Sequence, residues 1–266
     1  MKAVKTGYVE HGDTLANGKY HHGQYYVRHF RKVIETGAKH KVMIVAHEPI
    51  KDTGERRTYP NMISREGARG QEYNAWAGDG GNPPSHVTIV PFTRSLSGPF
   101  DYTPGVFDIK LPTQPNNQIN GTLAKELALY VVIYAPMQMA CDLPENYEGH
   151  PAFQFIKDVA VDWETTKVLD AKIGEHVTIA RQERGEDKWF VGTVTNENPR
   201  STSIKLNFLT PGKTYKATIY KDAEDAHYIK NPTAYLIEEM GVNSESVISL
   251  DLAASGGAAI SLIPAE

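Results

Sequence analysis

VMIVAHEPIKDTGERRTYPNMISREGARGQEY, running from Val42 to Tyr73, is the stretch whose reading decides the fold. Its first residues, Val42, Met43, Ile44, Val45 and Ala46, form an unbroken apolar run that stops at His47-Glu48. Such a run predicts a buried strand of a parallel sheet. A strand of this kind releases its functional groups into the loop at its carboxyl end. Glu66 and Glu72 follow in Gly- and Arg-rich surroundings. Together with Glu48 they could hold a hard cation, perform acid–base work, or do both.

Outward from this stretch, strand and helix signals alternate through the first 164 residues. Residues 3–9 read as a short strand, and Gly23 to Lys39 has helical spacing, with Val27, Phe30, Val33 and Ile34 on one face. Residues 86–92 (HVTIVPF) read as a further strand ended by Pro91, residues 123–135 as a strongly apolar helix, 138–141 as a short last strand and 153–159 as a final helix. Strand, helix and strand in this order argue for parallel strands joined by crossover helices. From about residue 165 the pattern becomes short alternating runs with turn residues between several of them, as in an antiparallel β-sandwich. The expected organisation is therefore an α/β region over 1–164 and an all-β region over 165–266.

Composition narrows the function without naming it. The 266 residues are 40% hydrophobic and 23% charged, ordinary for a globular chain, and the formal net charge of -4 gives no reason to expect nucleic acid or an anionic membrane surface as partner. Cys141 is the only cysteine, so neither an intrachain disulfide nor a multi-cysteine zinc site is possible. The apolar helix at 123–137 contains Lys125 and Glu126 and is too short to span a bilayer.

Each candidate residue has an ordinary reading beside the functional one. His47 could be a satisfied histidine at the top of the sheet, Glu66 a surface partner of Arg65 or Arg69, and Gly70 a turn residue with positive φ. Asp101, in the stiff loop GPFDYTPG, is read as a turn residue ahead of Pro104-Gly105. Arg56, Arg57 and Tyr59 either touch substrate or form the polar exterior of a long loop. In the sandwich, Trp189, Tyr215, Tyr220 and Tyr228 are the aromatics that could stack on a sugar, although such residues more often belong to the core.

An ordered series of phrases resembles glycoside hydrolase family 97. The phrases are VKTGYV, AHEPI followed by RRTYPN, REGARGQEYNAW, GNPPSHVTIVPFTR, GPFDYTPG, LALYVVIYAPMQMACDLPENYE and FQFIKDVAVDWE. The resemblance runs from residue 3 to the C-terminus. It implies calcium-dependent α-glucosidases and α-galactosidases built from an N-terminal β-sandwich, a (β/α)8 barrel and a C-terminal β-sandwich. On that plan this chain holds the C-terminal half of the barrel, from about the fourth strand, and the last sandwich. Met1 is then expected to be an internal residue or a false start, and the missing signal peptide says nothing about export: the longer protein would be periplasmic or secreted.

The resemblance also distributes roles. Glu72 matches the general acid, Glu48 the base that activates water in inverting members, and Glu48, Glu66 and Glu72 the calcium ligands. Lys5 and His47 match residues that hold the sugar, and the partner expected is an oligosaccharide. Retaining members carry an Asp nucleophile where this chain has Gly7, so the resemblance is to the inverting type acting on starch-like α-glucosides. For inversion the Glu48 and Glu72 carboxyls should stand about 6–10 Å apart. A second base candidate and a further calcium ligand are implied upstream of residue 1, so the isolated chain is expected to be inactive or nearly so. The competing readings are a retaining α-galactosidase and a non-catalytic carbohydrate-binding fragment.

Overall fold

The computed structural model describes residues 2–7, 18–114 and 116–265. Its first layer is a parallel sheet of β1 (Ala3–Thr6), β2 (Met43–Ala46) and β3 (Met62–Arg65), in that spatial order. The register places Thr6 beside Ala46 and Ala46 beside Arg65, so all three strands end together. The part of the first expected strand beyond Gly7 lies outside the described residues. Helix α1 (Gln24–Lys39) covers the sheet, burying Tyr26, Phe30 and Ile34, and Tyr26 and Phe30 share a core with Ile44, Ala46 and Ile50. Burying side chains of this size contributes about 1.5–3 kcal/mol each. β3 has no signature in sequence, because MISR is four residues long and neither alternates nor forms an apolar run.

Short helices follow: α2 (Tyr73–Trp76), α3 (His86–Ile89), then α4 (Leu123–Val132), α5 (Pro144–Tyr147) and α6 (Phe153–Asp158). The strand expected at 86–92 is helical instead, α3 continuing into a 3-10 turn at Val90–Phe92. Val87 and Val90 are buried while Ile89 is exposed. Residues three apart share a helical face, whereas a strand would have put 87 and 89 on one side. The short strand expected at 138–141 does not form either. Its backbone groups bond to the loop around Pro104 and to the Tyr130 hydroxyl rather than to a ladder.

The C-terminal region is antiparallel. β4 (Trp163–Lys172), β5 (His176–Glu183), β6 (Trp189–Thr195), β7 (Arg200–Lys205), β8 (Tyr215–Asp222), β9 (Tyr235–Val242), β10 (Val247–Leu252) and β11 (Gly257–Pro264) form a six-stranded sheet ordered β4-β5-β6-β11-β8-β9 and a ribbon of β7 and β10. One core lies between the ribbon and the large sheet, joining Ile204, Ile248 and Leu250 to Trp189, Ile219 and Ile260. A second joins the other face of the large sheet to α4, through Phe190, Val194 and Tyr220. β6 is therefore covered on both faces and buried along its whole length. α4, also buried throughout, has no polar side despite Lys125 and Glu126.

The same packing accounts for the aromatics of the sandwich. Trp189, Tyr215 and Tyr220 are buried in the two cores and offer no ring to a ligand. Tyr228, half-buried, stacks on His227.

Candidate active site

Parallel register decides where the candidate residues meet. Gly7 follows β1, His47 and Glu48 follow β2, and Glu66 follows β3, all at the carboxyl edge of one sheet. Strand-like bonds continue past the strands: His47 N donates to Thr6 O at 2.6 Å, and Glu66 N donates to Ala46 O at 2.9 Å. Phe100 makes a parallel bridge with Arg65, and Asp101 N donates to Arg65 O at 3.1 Å. The loop 98–105 thereby acts as a further strand position and delivers Asp101 to the same edge.

Asp101 is buried and accepts from His47 Nε2 at 2.6 Å, while the Lys5 ammonium lies 3.4 Å from the same oxygen. Its side chain joins His47 and Lys5 rather than capping the turn ahead of Pro104-Gly105. The missed signal is its position, one residue after an aromatic bridging to β3, which no local pattern in GPFDYTPG announces. Lys5 and His47, matched separately to sugar binding, are thus tied together by one carboxylate. The far oxygen, Asp101 Oδ1, has no hydrogen-bond partner among the described residues.

On its other side His47 Nδ1 stands 3.5 Å from Glu66 Oε2. Donor atoms of His47, Glu66 and Glu72 all lie within 4.8 Å of one another. Glu48 enters through its backbone, its amide donating to Glu66 Oε2 at 3.2 Å, and its own φ of 48° lies in the left-handed region. That conformation costs a non-glycine residue roughly 1–3 kcal/mol and is found where surrounding structure enforces it. Burial, and then the neighbouring Glu72 charge, raise the Glu66 pKa against the opposing pull of His47 and the Glu48 amide.

Two ionised carboxylates this close repel by roughly 3–4 kcal/mol at an effective dielectric of about 20. A shared proton or a cation removes that cost. Glu66 Oε1 is buried with no donor on it among the described residues. Acceptor-only oxygens suit a hard cation such as calcium, and the imidazole nitrogen does not, so the fit rests on the carboxylates. Glu72 is exposed at the mouth of the cluster, whereas His47 and Glu66 are buried.

Gly7 has no room for a side chain. A Cβ built on it would lie 2.7 Å from His47 Cβ, 2.7 Å from His47 O and 2.9 Å from His47 C. Arg56 and Tyr59, left open between substrate contact and loop exterior, are engaged by Asp52 and by Glu35 respectively. Arg94, which sequence reasoning passed over, is half-buried and donates to the carbonyls of Glu66, Arg65, Gly98 and Pro99. It staples the strand end bearing Glu66 to the loop bearing Asp101.

Comparison with known proteins gives the family. A family model described as "Glycoside hydrolase 97" matches residues 1–68, and one described as "Glycosyl-hydrolase 97 C-terminal, oligomerisation" matches residues 162–263. The chain belongs to glycoside hydrolase family 97. A retaining α-galactosidase from Bacteroides thetaiotaomicron is 33% identical over 87% of this chain and 35% of its own length. A family 97 enzyme from Pseudoalteromonas sp. strain K8, solved in complex with panose and also with acarbose, is 46% identical with a TM-score of 0.93. That match covers all of this chain and 42% of the solved one. The chain thus spans less than half the length of these relatives, and one of its two matched regions is described by oligomerisation. No helix among the described residues is long and apolar enough to cross a membrane.

Proposed function

We propose that this chain carries the acid–base centre of an inverting, calcium-dependent α-glucosidase acting on starch-like oligosaccharides, in a longer exported protein whose barrel is completed by other segments. The parallel β1-β2-β3 sheet, with Phe100 bridging to β3, is read as the C-terminal half of a (β/α)8 barrel. The observation that carries the reading is the contact at Gly7. A retaining mechanism needs a carboxylate there to attack the sugar, and the His47 backbone fills the space its first side-chain atom would take. The substrate class is supported by the relative solved with panose, an α-linked glucose trisaccharide.

In this reading Glu72, the exposed member of the cluster, protonates the glycosidic oxygen as the bond from C1 to that oxygen breaks. A water attacks C1 from the opposite face and Glu48 accepts its proton, so the released sugar has inverted configuration. Lys5 and His47 hold sugar hydroxyls, and Asp101 fixes both in place. Calcium, when held by Glu48, Glu66 and Glu72, supplies fixed positive charge beside the reacting sugar.

The relative named as a retaining α-galactosidase favours the second reading, retention on α-galactosides. Gly7 speaks against it. The test is Glu72→Gln in the full-length enzyme, expected to lower turnover of panose by about 10²–10⁴-fold while leaving binding intact. Turnover within a few-fold of wild type would remove Glu72 from the role of acid.

A further inference from the structure

Glu126 is a buried carboxylate with no part in the chemistry above. It lies in the first turn of α4, and its Oε2 accepts from Gln71 Nε2 at 2.6 Å, from Gly105 N at 2.9 Å and from Val106 N at 3.2 Å. Gln71 is the residue before Glu72 and is itself buried. Its Oε1 accepts from Asn74 Nδ2 at 3.1 Å, Asn74 Oδ1 accepts from Asn82 N at 2.8 Å, and Asn82 Nδ2 donates to Gly70 O at 2.8 Å. Residues on both sides of Glu72 are therefore anchored while its own side chain stays exposed at the mouth of the cluster.

The segment cannot hold this position by itself. α2 is a single turn, far below the length at which a helix is stable on its own. Glu72 must be placed by contacts from elsewhere, and the chain of amides leads back to one oxygen on α4, the most deeply buried helix of the molecule. That oxygen also fixes the turn at Gly105, where φ is 98° and a Cβ would overlap the Tyr130 hydroxyl. Removing the acceptor leaves a buried Gln71 amide unpaired.

We propose that Glu126 is the positioning residue of the general acid: through Gln71 it holds Glu72 where it can protonate the glycosidic oxygen. The inference rests on the reading of Glu72 as acid, and the closing experiment separates the two. It compares substrates with different needs for protonation in the full-length enzyme. Panose has a poor leaving group and requires the acid, whereas the fluoride of α-glucosyl fluoride departs without it.

For Glu126→Ala the expected result is a fall in kcat on panose of about ten- to a hundredfold, with kcat on the fluoride changed by less than about threefold and KM nearly unchanged. Glu126→Gln, which keeps an acceptor oxygen of the same reach, restores most of the loss. Gln71→Leu cuts the same link from the other end and should reproduce the substrate dependence; it decides the matter if Glu126→Ala does not fold. Equal losses on both substrates in Gln71→Leu or a folded Glu126→Ala would overturn the inference. Glu72→Gln is the reference: if it too loses both equally, the acid assignment falls, and if it alone shows the dependence, only the role of Glu126 falls.

Discussion

Gly7→Ala should destabilise the protein although it adds a single methyl group. The new Cβ would meet His47 Cβ, O and C at 2.7, 2.7 and 2.9 Å. None of these atoms can swing aside as the end of a long side chain would. The His47 backbone is held by the hydrogen bond its N–H donates to Thr6 O, and its ring by Asp101 at 2.6 Å. Relief must therefore come from moving β1 against β2, an overpacking cost of about 1–3 kcal/mol. For a chain of this size that is a fall of roughly 2–10 °C in Tm, read by thermal denaturation. Gly78→Ala is the control, since no atom lies within 4 Å of the added Cβ there. It should stay within about 0.5 kcal/mol of wild type. A Gly7→Ala protein as stable as the Gly78→Ala control would refute the claim that the strand end has no room for a side chain, and with it the structural case against a nucleophile at position 7.

Other perturbations test other parts of the site. Asp101→Asn keeps the shape but removes the charge facing His47 and Lys5, and should cost about 1.5–3 kcal/mol in urea denaturation and raise KM; unchanged stability would contradict the contacts described. Calcium in large excess over its Kd should raise stability by about 2–3 kcal/mol in a thermal shift, and Glu66→Gln should abolish the rise; equal shifts in both proteins would remove Glu66 from the ligand set. Burial lifts the Asp222 carboxyl to about 6, although Ala253 N and Gly257 N donate to it. The folded chain then binds a proton between about pH 4 and 6 that the unfolded chain has lost, so this group's contribution falls as pH rises through that window. Asp222→Asn should gain stability relative to wild type from pH 4 to pH 6, and a difference independent of pH would contradict the assignment.

Much of this architecture is legible in the sequence because its signals are local. Apolar runs mark the buried strand β2, helical spacing marks α1, and the short runs after residue 165 mark the antiparallel region. What escaped was set by contacts distant in sequence. β4 is mostly exposed and β3 very short, so neither carries a hydrophobic pattern. The 86–92 segment has strand-forming residues, but the core takes Val87 and Val90 together and winds it into helix. At the site, Glu66 and Glu72 could be picked out because they crowd after one strand. Asp101 and Arg94 could not, since their roles exist only once the loop at 98–105 is laid beside β3. Gly7 is mute in composition and periodicity, and acquires meaning from the resemblance and then from the His47 backbone against it.

The measurement that bears most directly on the whole account is the configuration of the first sugar released. Proton NMR of the full-length enzyme acting on p-nitrophenyl α-glucoside, recorded before mutarotation, should show β-glucose appearing first. Initial release of α-glucose would contradict the account, because it requires a nucleophile that position 7 cannot provide.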